Sequence, residues 1–128
     1  MLAEQQLVDC AGNFDNHGCN GGLPSQAFEY IKYAGGITTE AQYPYTAKDG
    51  NCTVSDVTFA AHAPFGSANV TVNNEKDMLR AMYDIGPLSI AYEVIDDFMH
   101  YKSGIYSTKD CNNTSQDVNH AVLGVGFG

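Results

Sequence analysis

The chain has 128 residues, which is enough for one modest hydrophobic core. Fifteen acidic residues against six basic ones give a net charge of −9, which argues against nucleic acid or an anionic membrane surface as a partner. No apolar run approaches the ~18 residues of a membrane-spanning helix, and the first residues lack the basic start and apolar segment of a signal peptide.

The first part of the chain, residues 1–64, is predicted to be mainly helical. Apolar residues at helical spacing predict a short helix over residues 2–11, followed by a loop of turn-forming residues at 13–22. A second helix, residues 24–34, begins at a proline and ends before two glycines. Residues 38–58 are expected to be a loop. The inward-facing residues of the second helix are predicted to be Ala27, Phe28, Ile31 and Ala34.

The second part, residues 65–128, is predicted to contain one helix and several strands. Asn74 is the expected N-cap of the helix, with Asp77 in a position typical of a capping box. Its inward-facing residues are predicted to be Met78, Leu79, Met82 and Ile85. Strands are predicted at residues 70–72, 88–94, 104–106 and 118–127. The two parts together predict an α+β fold with domains 1–64 and 65–128.

The last predicted strand carries His120 near its start. An imidazole on a rigid strand suits proton transfer, because its ordinary pKa lies near neutrality. A single histidine at a strand start is, without further support, more often a structural residue. His17, His62 and His100 have no motif around them and are expected to be exposed.

The cysteines and asparagines point to a cellular environment rather than to a reaction. The cysteines contain no C-x-x-C pair, which disfavours a zinc or redox site; they are Cys10, Cys19, Cys52 and Cys111. Glycosylation sequons begin at Asn51, Asn69, Asn112 and Asn113. Both features favour a secretory-pathway origin. The acidic residues match no metal-site spacing, so no metal or other cofactor is expected.

Several separate blocks, in order and at the right spacing, resemble the papain-like cysteine peptidases. The blocks are residues 5–10 (QQLVDC), 18–22 (GCNGG), 43–45 (YPY) and 119–128 (NHAVLGVGFG). The cathepsin H and aleurain branch is the most similar, through residues 16–31 (NHGCNGGLPSQAFEYI) and 101–106 (YKSGIY). The resemblance implies an incomplete papain-like fold, with part of the helical left domain and part of the β-barrel-like right domain.

The resemblance also implies roles for individual residues. His120 matches the catalytic histidine, which in that family pairs with a cysteine thiolate for acyl transfer. Gly21 and Gly22 match a loop whose backbone binds an extended substrate, where glycine allows close approach. Asn119 stands where papain itself has an aspartate. The implied substrate-side residues are Gly21, Gly22, Leu23, Pro24, Ala91 and Asn119.

For the cysteines, the resemblance implies that Cys10 and Cys52 form a disulfide. Cys19 and Cys111 match cysteines whose partners lie outside the sequence, so both are expected to be unpaired in this chain. None of the four lies at a helix N-terminus, where the helix dipole would favour a thiolate. None is therefore expected to be a nucleophile.

The resemblance implies a central fragment of a lysosomal or vacuolar cysteine peptidase with endopeptidase and aminopeptidase activity. The nucleophile motif C-G-[SA]-C-[WY] would precede Met1 and the orienting asparagine would follow Gly128, so the chain alone is expected to be inactive. Expected partners are peptide or protein substrates, cystatin-like inhibitors and the missing parts of the enzyme. The alternative is a non-catalytic peptide- or inhibitor-binding module that retains half of the cleft.

Overall fold

The computed structural model describes residues 1–112 and 114–128, which form two compact units, Met1–Asn69 and Val70–Gly128. The first unit is helical with long irregular segments, and the second contains a helix and a small antiparallel sheet. This content confirms the predicted α+β class. In the described part of the chain, no helix has the length and apolar character needed to cross a membrane.

Two α-helices form the frame of the first unit. Helix α1 spans Glu4–Cys10 and continues into a 3-10 turn, Ala11–Phe14. It begins later than predicted because Leu2 instead pairs with Thr39 in an isolated β-bridge. Helix α2 spans Pro24–Ala34 and ends at a glycine with φ of 87°, as its sequence predicts.

The core of the first unit lies between α2 and the turn after α1. Its buried residues are Ala11, Tyr30, Ile31 and Ile37. The prediction that Phe28 faces inward was wrong, since 42% of this residue is exposed. The inward stripe of α2 runs through Ala27, Tyr30, Ile31 and Ala34, because helical neighbours lie three and four residues apart.

Two glutamines, rather than apolar side chains, are the most buried residues of α1. Gln6 donates from Nε2 to the Tyr30 hydroxyl and to the Gly36 carbonyl, both at 3.1 Å. Its Oε1 accepts from the Thr38 amide at 2.9 Å. Gln5 and Gln6 are almost fully buried, and the bonds of Gln6 replace the water that its amide loses, as the bonds of Gln5 to Asp9, Lys48 and Thr46 do for that residue. The contacts tie α1 to the segment that follows α2.

The end of α1 is also joined to the loop at residues 43–52. Cys10 and Cys52 form a disulfide, which is the pair that the resemblance implies. The neighbouring Asp9 carboxylate accepts from the Tyr43 hydroxyl at 2.8 Å and from the Gly50 amide at 2.9 Å. Covalent and polar links therefore hold this loop against the helix.

The second unit contains helix α3, Glu75–Asp84, and two antiparallel strands. Strand β1, Leu88–Tyr92, pairs with β2, His120–Gly124. The register sets Tyr92 opposite His120 and Leu88 opposite Gly124. Along β1 the side chains alternate between half-buried and exposed, as predicted.

The predicted strands at 70–72 and 104–106 were wrong. Thr71 donates its hydroxyl to the Asp77 carboxylate at 2.6 Å, which folds this segment against the start of α3. Tyr101 donates its hydroxyl to the Gly104 carbonyl at 2.6 Å, and Ile105 is fully exposed. Both segments have β-forming residues, but they bond locally rather than along a neighbouring strand.

Helix α3 packs on the sheet through Met82, its buried residue. At the end of β2, a Cβ added to Gly124 would overlap the side chain of Ile90 and lie 3.1 Å from Met82 Cε. Glycine is needed there because these two side chains fill the space. The predicted inward position of Ile85 was wrong, since 83% of it is exposed; Leu79 is exposed as well. A two-stranded sheet covers only a narrow face of the helix.

We expect the disulfide to be a main source of stability for the first unit. Closing a loop with a sequence separation of 42 contributes about 4 kcal/mol on the chain-entropy account. The double variant Cys10→Ala/Cys52→Ala should therefore lose about that much free energy of unfolding, measured by urea denaturation. The matched control is Cys19→Ala/Cys111→Ala, which removes two free thiols. Equal losses in the two variants would contradict the expectation.

The Asp77 carboxylate should carry a pH-dependent contribution to the stability of α3. Hydrogen bonds from the hydroxyl and the backbone amide of Thr71 lower its pKa below the ordinary value of 3.8. A lowered pKa stabilises the fold above the unfolded value, and that contribution is lost as pH falls through the folded value. Thr71→Val should raise the Asp77 pKa, measured by NMR titration of its carboxyl carbon. Thr58→Val, in the other unit, should leave it unchanged.

Candidate active site

His120 is the first residue of β2 and its side chain is exposed. Its imidazole meets the ring of Tyr92 across the strand pair, with centroids 5.7 Å apart and planes at 77°. Tyr92 in turn packs edge-on against Phe98 at 5.8 Å. The imidazole therefore has an aromatic support on one side and solvent on the other, which suits a group that exchanges protons with a ligand.

Asn119 fixes the strand immediately before the imidazole. Its Nδ2 donates to the Val94 carbonyl at 3.0 Å, and its Oδ1 accepts from the Val94 amide at 2.7 Å. Its backbone amide also donates to the Tyr92 carbonyl at 3.3 Å. The side chain thus continues the β1–β2 pairing beyond the last regular pair. This contact was missed from the sequence, where the only signal is that asparagine side chains readily bond to backbone groups.

We call residues 21–23 the glycine rim, and all three residues of it are exposed. Gly21 has φ of 100° and ψ of −171°, a conformation that essentially only glycine adopts. Its carbonyl accepts from the His17 amide at 2.8 Å. Backbone conformation is therefore a sufficient reason for glycine at position 21, whether or not a ligand approaches it.

The two units hold different members of the predicted site. The first unit brings the glycine rim next to Pro24, the first residue of α2, with Leu23 53% exposed. The second unit brings Ala91 and Asn119 close to His120, because Ala91 directly precedes the strand partner of His120. Each set is compact within its own unit.

The two free thiols are poorly suited to nucleophilic attack. Desolvation, followed by the nearby Asp49 carboxylate, raises the pKa of the Cys19 thiol. Desolvation, followed by Glu93, raises the pKa of the Cys111 thiol. A nucleophilic cysteine needs the opposite environment, in which positive charge or a helix N-terminus favours the thiolate.

The remaining candidate residues are the asparagines of the glycosylation sequons. Asn51, Asn69 and Asn112 are exposed, and Asn113 lies outside the described residues. Glycosylation of these sequons stays a prediction. Within residues 1–112 and 114–128, no three His, Cys, Asp or Glu side chains are grouped closely enough to hold a metal ion.

Comparison with known proteins identifies relatives along the whole chain. The family described as papain family cysteine protease matches residues 1–128. Pro-cathepsin H of Medicago truncatula is 53% identical over 127 residues, covering 99% of this chain and 36% of that protein. Pro-cathepsin H of Bos taurus is 54% identical over 128 residues, covering 100% and 38%. The chain thus spans about a third of the length of these relatives.

Solved structures show the same architecture. Procathepsin L 3 of Tenebrio molitor has a TM-score of 0.88 and 33% identity, covering 99% of this chain and 40% of that one. Bromelain of Ananas comosus, solved with the inhibitor E64, has a TM-score of 0.82 and 38% identity, covering 95% and 53%. The fold is therefore a partial papain-like fold. From its sequence and its architecture alike, the chain belongs to the papain family of cysteine proteases.

Proposed function

We propose that this chain is the base-carrying part of a cysteine peptidase that hydrolyses peptide bonds through a thiolate–imidazolium pair. The observation that carries the proposal is the placement of His120. Its imidazole is exposed at the first residue of β2, while Asn119 bonds the adjoining backbone to Val94 at 2.7 and 3.0 Å. A general base needs a backbone that is held in place and a ring nitrogen that its reaction partner can reach.

In acyl transfer the imidazole takes the proton from the attacking thiol and later returns it to the departing amine. Both transfers need the ring to keep one orientation while its chemical partner changes. Tyr92 supports that orientation, because its ring meets the imidazole at 77° and is itself packed against Phe98. The second unit therefore supplies the base and an aromatic contact that supports its ring.

On the substrate side, we propose that an extended peptide pairs with the backbone of Gly22. Within the described residues, neither backbone polar group of Gly22 has a hydrogen-bond partner, so both are free for a ligand. Leu23 and Pro24 are proposed to contact an apolar side chain of that peptide, and Ala91, which belongs to the second unit, stays a predicted substrate-binding residue. The similarity to cathepsin H, together with the resemblance to the cathepsin H and aleurain branch, motivates both endopeptidase and aminopeptidase activity.

The proposed nucleophile is a cysteine that this sequence does not contain. Cys10 and Cys52 are joined to each other, and the pKa values of Cys19 and Cys111 are both raised. Proposed partners are therefore the remaining parts of the enzyme, peptide or protein substrates, and cystatin-like inhibitors. Bromelain, which was solved in complex with the inhibitor E64, supports inhibitor binding by members of this family. A lysosomal or vacuolar location is proposed from the similarity to cathepsin H, and the disulfide and the sequons support the secretory-pathway origin that such a location requires.

A chimeric enzyme tests the role of His120. The chain would replace the corresponding residues of Bos taurus pro-cathepsin H, to which it is 54% identical over 128 residues. We expect the processed chimera to hydrolyse a fluorogenic peptide, and His120→Ala to lower kcat/KM by at least about a thousandfold, because the base is lost.

His100→Ala is the matched control, since His100 is another exposed histidine of the same unit. It should leave kcat/KM within about twofold of the parent chimera, as expected for a surface residue outside the site. Equal kcat/KM values for the His100 and His120 variants would refute the assignment of the base.

The isolated chain should show no peptidase activity. The fluorogenic peptide assay should give a rate equal to the buffer blank, at pH values from about 5 to 8, where a working thiolate–imidazolium pair would be active. Turnover that a thiol-alkylating epoxide abolishes would contradict this expectation. Peptide binding without turnover, seen by NMR titration, would match the non-catalytic module of the alternative hypothesis as well as an inactive part of an enzyme.

A further inference from the structure

We propose that Asn16 is the positioning residue of the glycine rim: it holds the Leu23 amide beside Gly22 and imposes glycine at position 22. This inference rests on the proposed function, in which Gly22 pairs with an extended peptide. No sequence pattern singles out Asn16, which lies five residues before the rim in a loop of turn-forming residues.

The side chain of Asn16 bridges two points of its loop. Its Nδ2 donates to the Phe14 carbonyl at 3.1 Å, and its Oδ1 accepts from the Leu23 amide at 3.0 Å. Phe14 belongs to the 3-10 turn after α1 and packs edge-on against Tyr30 at 5.8 Å. Asn16 therefore connects the exposed rim to a residue that packs against the core.

The same side chain lies directly against the α-carbon of Gly22. A Cβ added to Gly22 would overlap Oδ1 of Asn16 and lie 2.8 Å from its Cγ and 3.1 Å from its Cβ. Nothing lies within 4 Å of a Cβ added to Gly21. The two glycines thus have different causes: backbone conformation at position 21, and the Asn16 side chain at position 22.

The hydrogen bonds on either side of Gly22 leave the backbone groups of this residue available to a ligand. His17 holds the Gly21 carbonyl from its backbone amide at 2.8 Å, and Asn16 holds the Leu23 amide. Between them, the N–H and C=O of Gly22 have no partner in the part of the chain that the structure describes. A strand-like ligand needs this arrangement, since one residue must offer both groups in a fixed orientation.

We call a side chain that accepts from a backbone amide of this loop a clamp, and a second clamp, which comes from the loop at residues 43–52, provides a matched control. Asp49 accepts from the Cys19 amide at 2.7 Å, and a Cβ added to Gly18 would overlap its carboxylate. Its geometry resembles that of Asn16 with Gly22, but it acts on residues 18–19 rather than on the rim. If both clamps only stabilise the loop, replacing Asn16 or Asp49 by alanine should weaken peptide binding equally.

The first experiment is a double-mutant cycle on thermal stability. Gly22→Ala should lower Tm at least about twice as much in the parent chain as in the Asn16→Ala chain, because removing the asparagine relieves the overlap. If the effects of Gly22→Ala and Asn16→Ala on Tm were additive, the inferred contact between the two residues would be wrong. This measurement depends on no ligand and no activity.

The second experiment titrates the chain with the peptide acetyl-Ala-Leu-Ala-amide and follows the amide signals of Gly22 and Leu23 by NMR. Asn16→Ala should weaken binding at least about fivefold, the loss expected for about one hydrogen bond of positioning, while Asp49→Ala should change it less than about twofold. Equal weakening by both variants, or none by Asn16→Ala, would overturn this inference alone. Failure of the parent chain to bind the peptide would overturn the substrate role of the rim and, with it, the positioning role of Asn16.

Discussion

The paired hydrogen bonds between the Asn119 side chain and the backbone of Val94 are the contact on which the candidate base depends. The regular pairing of β1 and β2 stops at Tyr92 and His120, so the backbone before the imidazole would otherwise be free to fray. A primary amide offers the same donor and acceptor as a peptide group, and Asn119 uses both at 2.7 and 3.0 Å. The Asn119 side chain thus extends the short sheet at the end where the proposed base, His120, lies.

Local signals in the sequence predicted the helices well. Pro24 and Gly35 mark the start and end of α2, and the side chain of Asn74 caps α3 by accepting from Asp77. The strands at 70–72 and 104–106 failed because β-forming residues define a strand only where another strand pairs with them. The burial of Gln5 and Gln6 was also unpredictable, since their hydrogen-bond partners other than Asp9 lie 24 or more residues away.

The candidate site was predictable only through its motifs. A histidine before an apolar, glycine-containing segment suggested a base on a strand, and the resemblance named its role. The supporting residues carry no such signal. Asn16 and Val94 matter through contacts to Leu23 and Asn119, and those contacts exist only after the chain has folded. Sequence patterns can identify the residues that react, but the residues that hold them in position can be identified only from the folded structure.

The glycine at the end of β2 has a consequence for the alignment of the strands. Side chains alternate between the two faces of a strand, so a slip of one residue would turn His120 to the opposite face. Such a slip would also move Leu123 or Val125 into the space opposite Leu88, which Ile90 and Met82 already occupy around Gly124. The absence of a side chain at Gly124 therefore fixes the register of the two strands. The register in turn determines on which face of the sheet the imidazole lies.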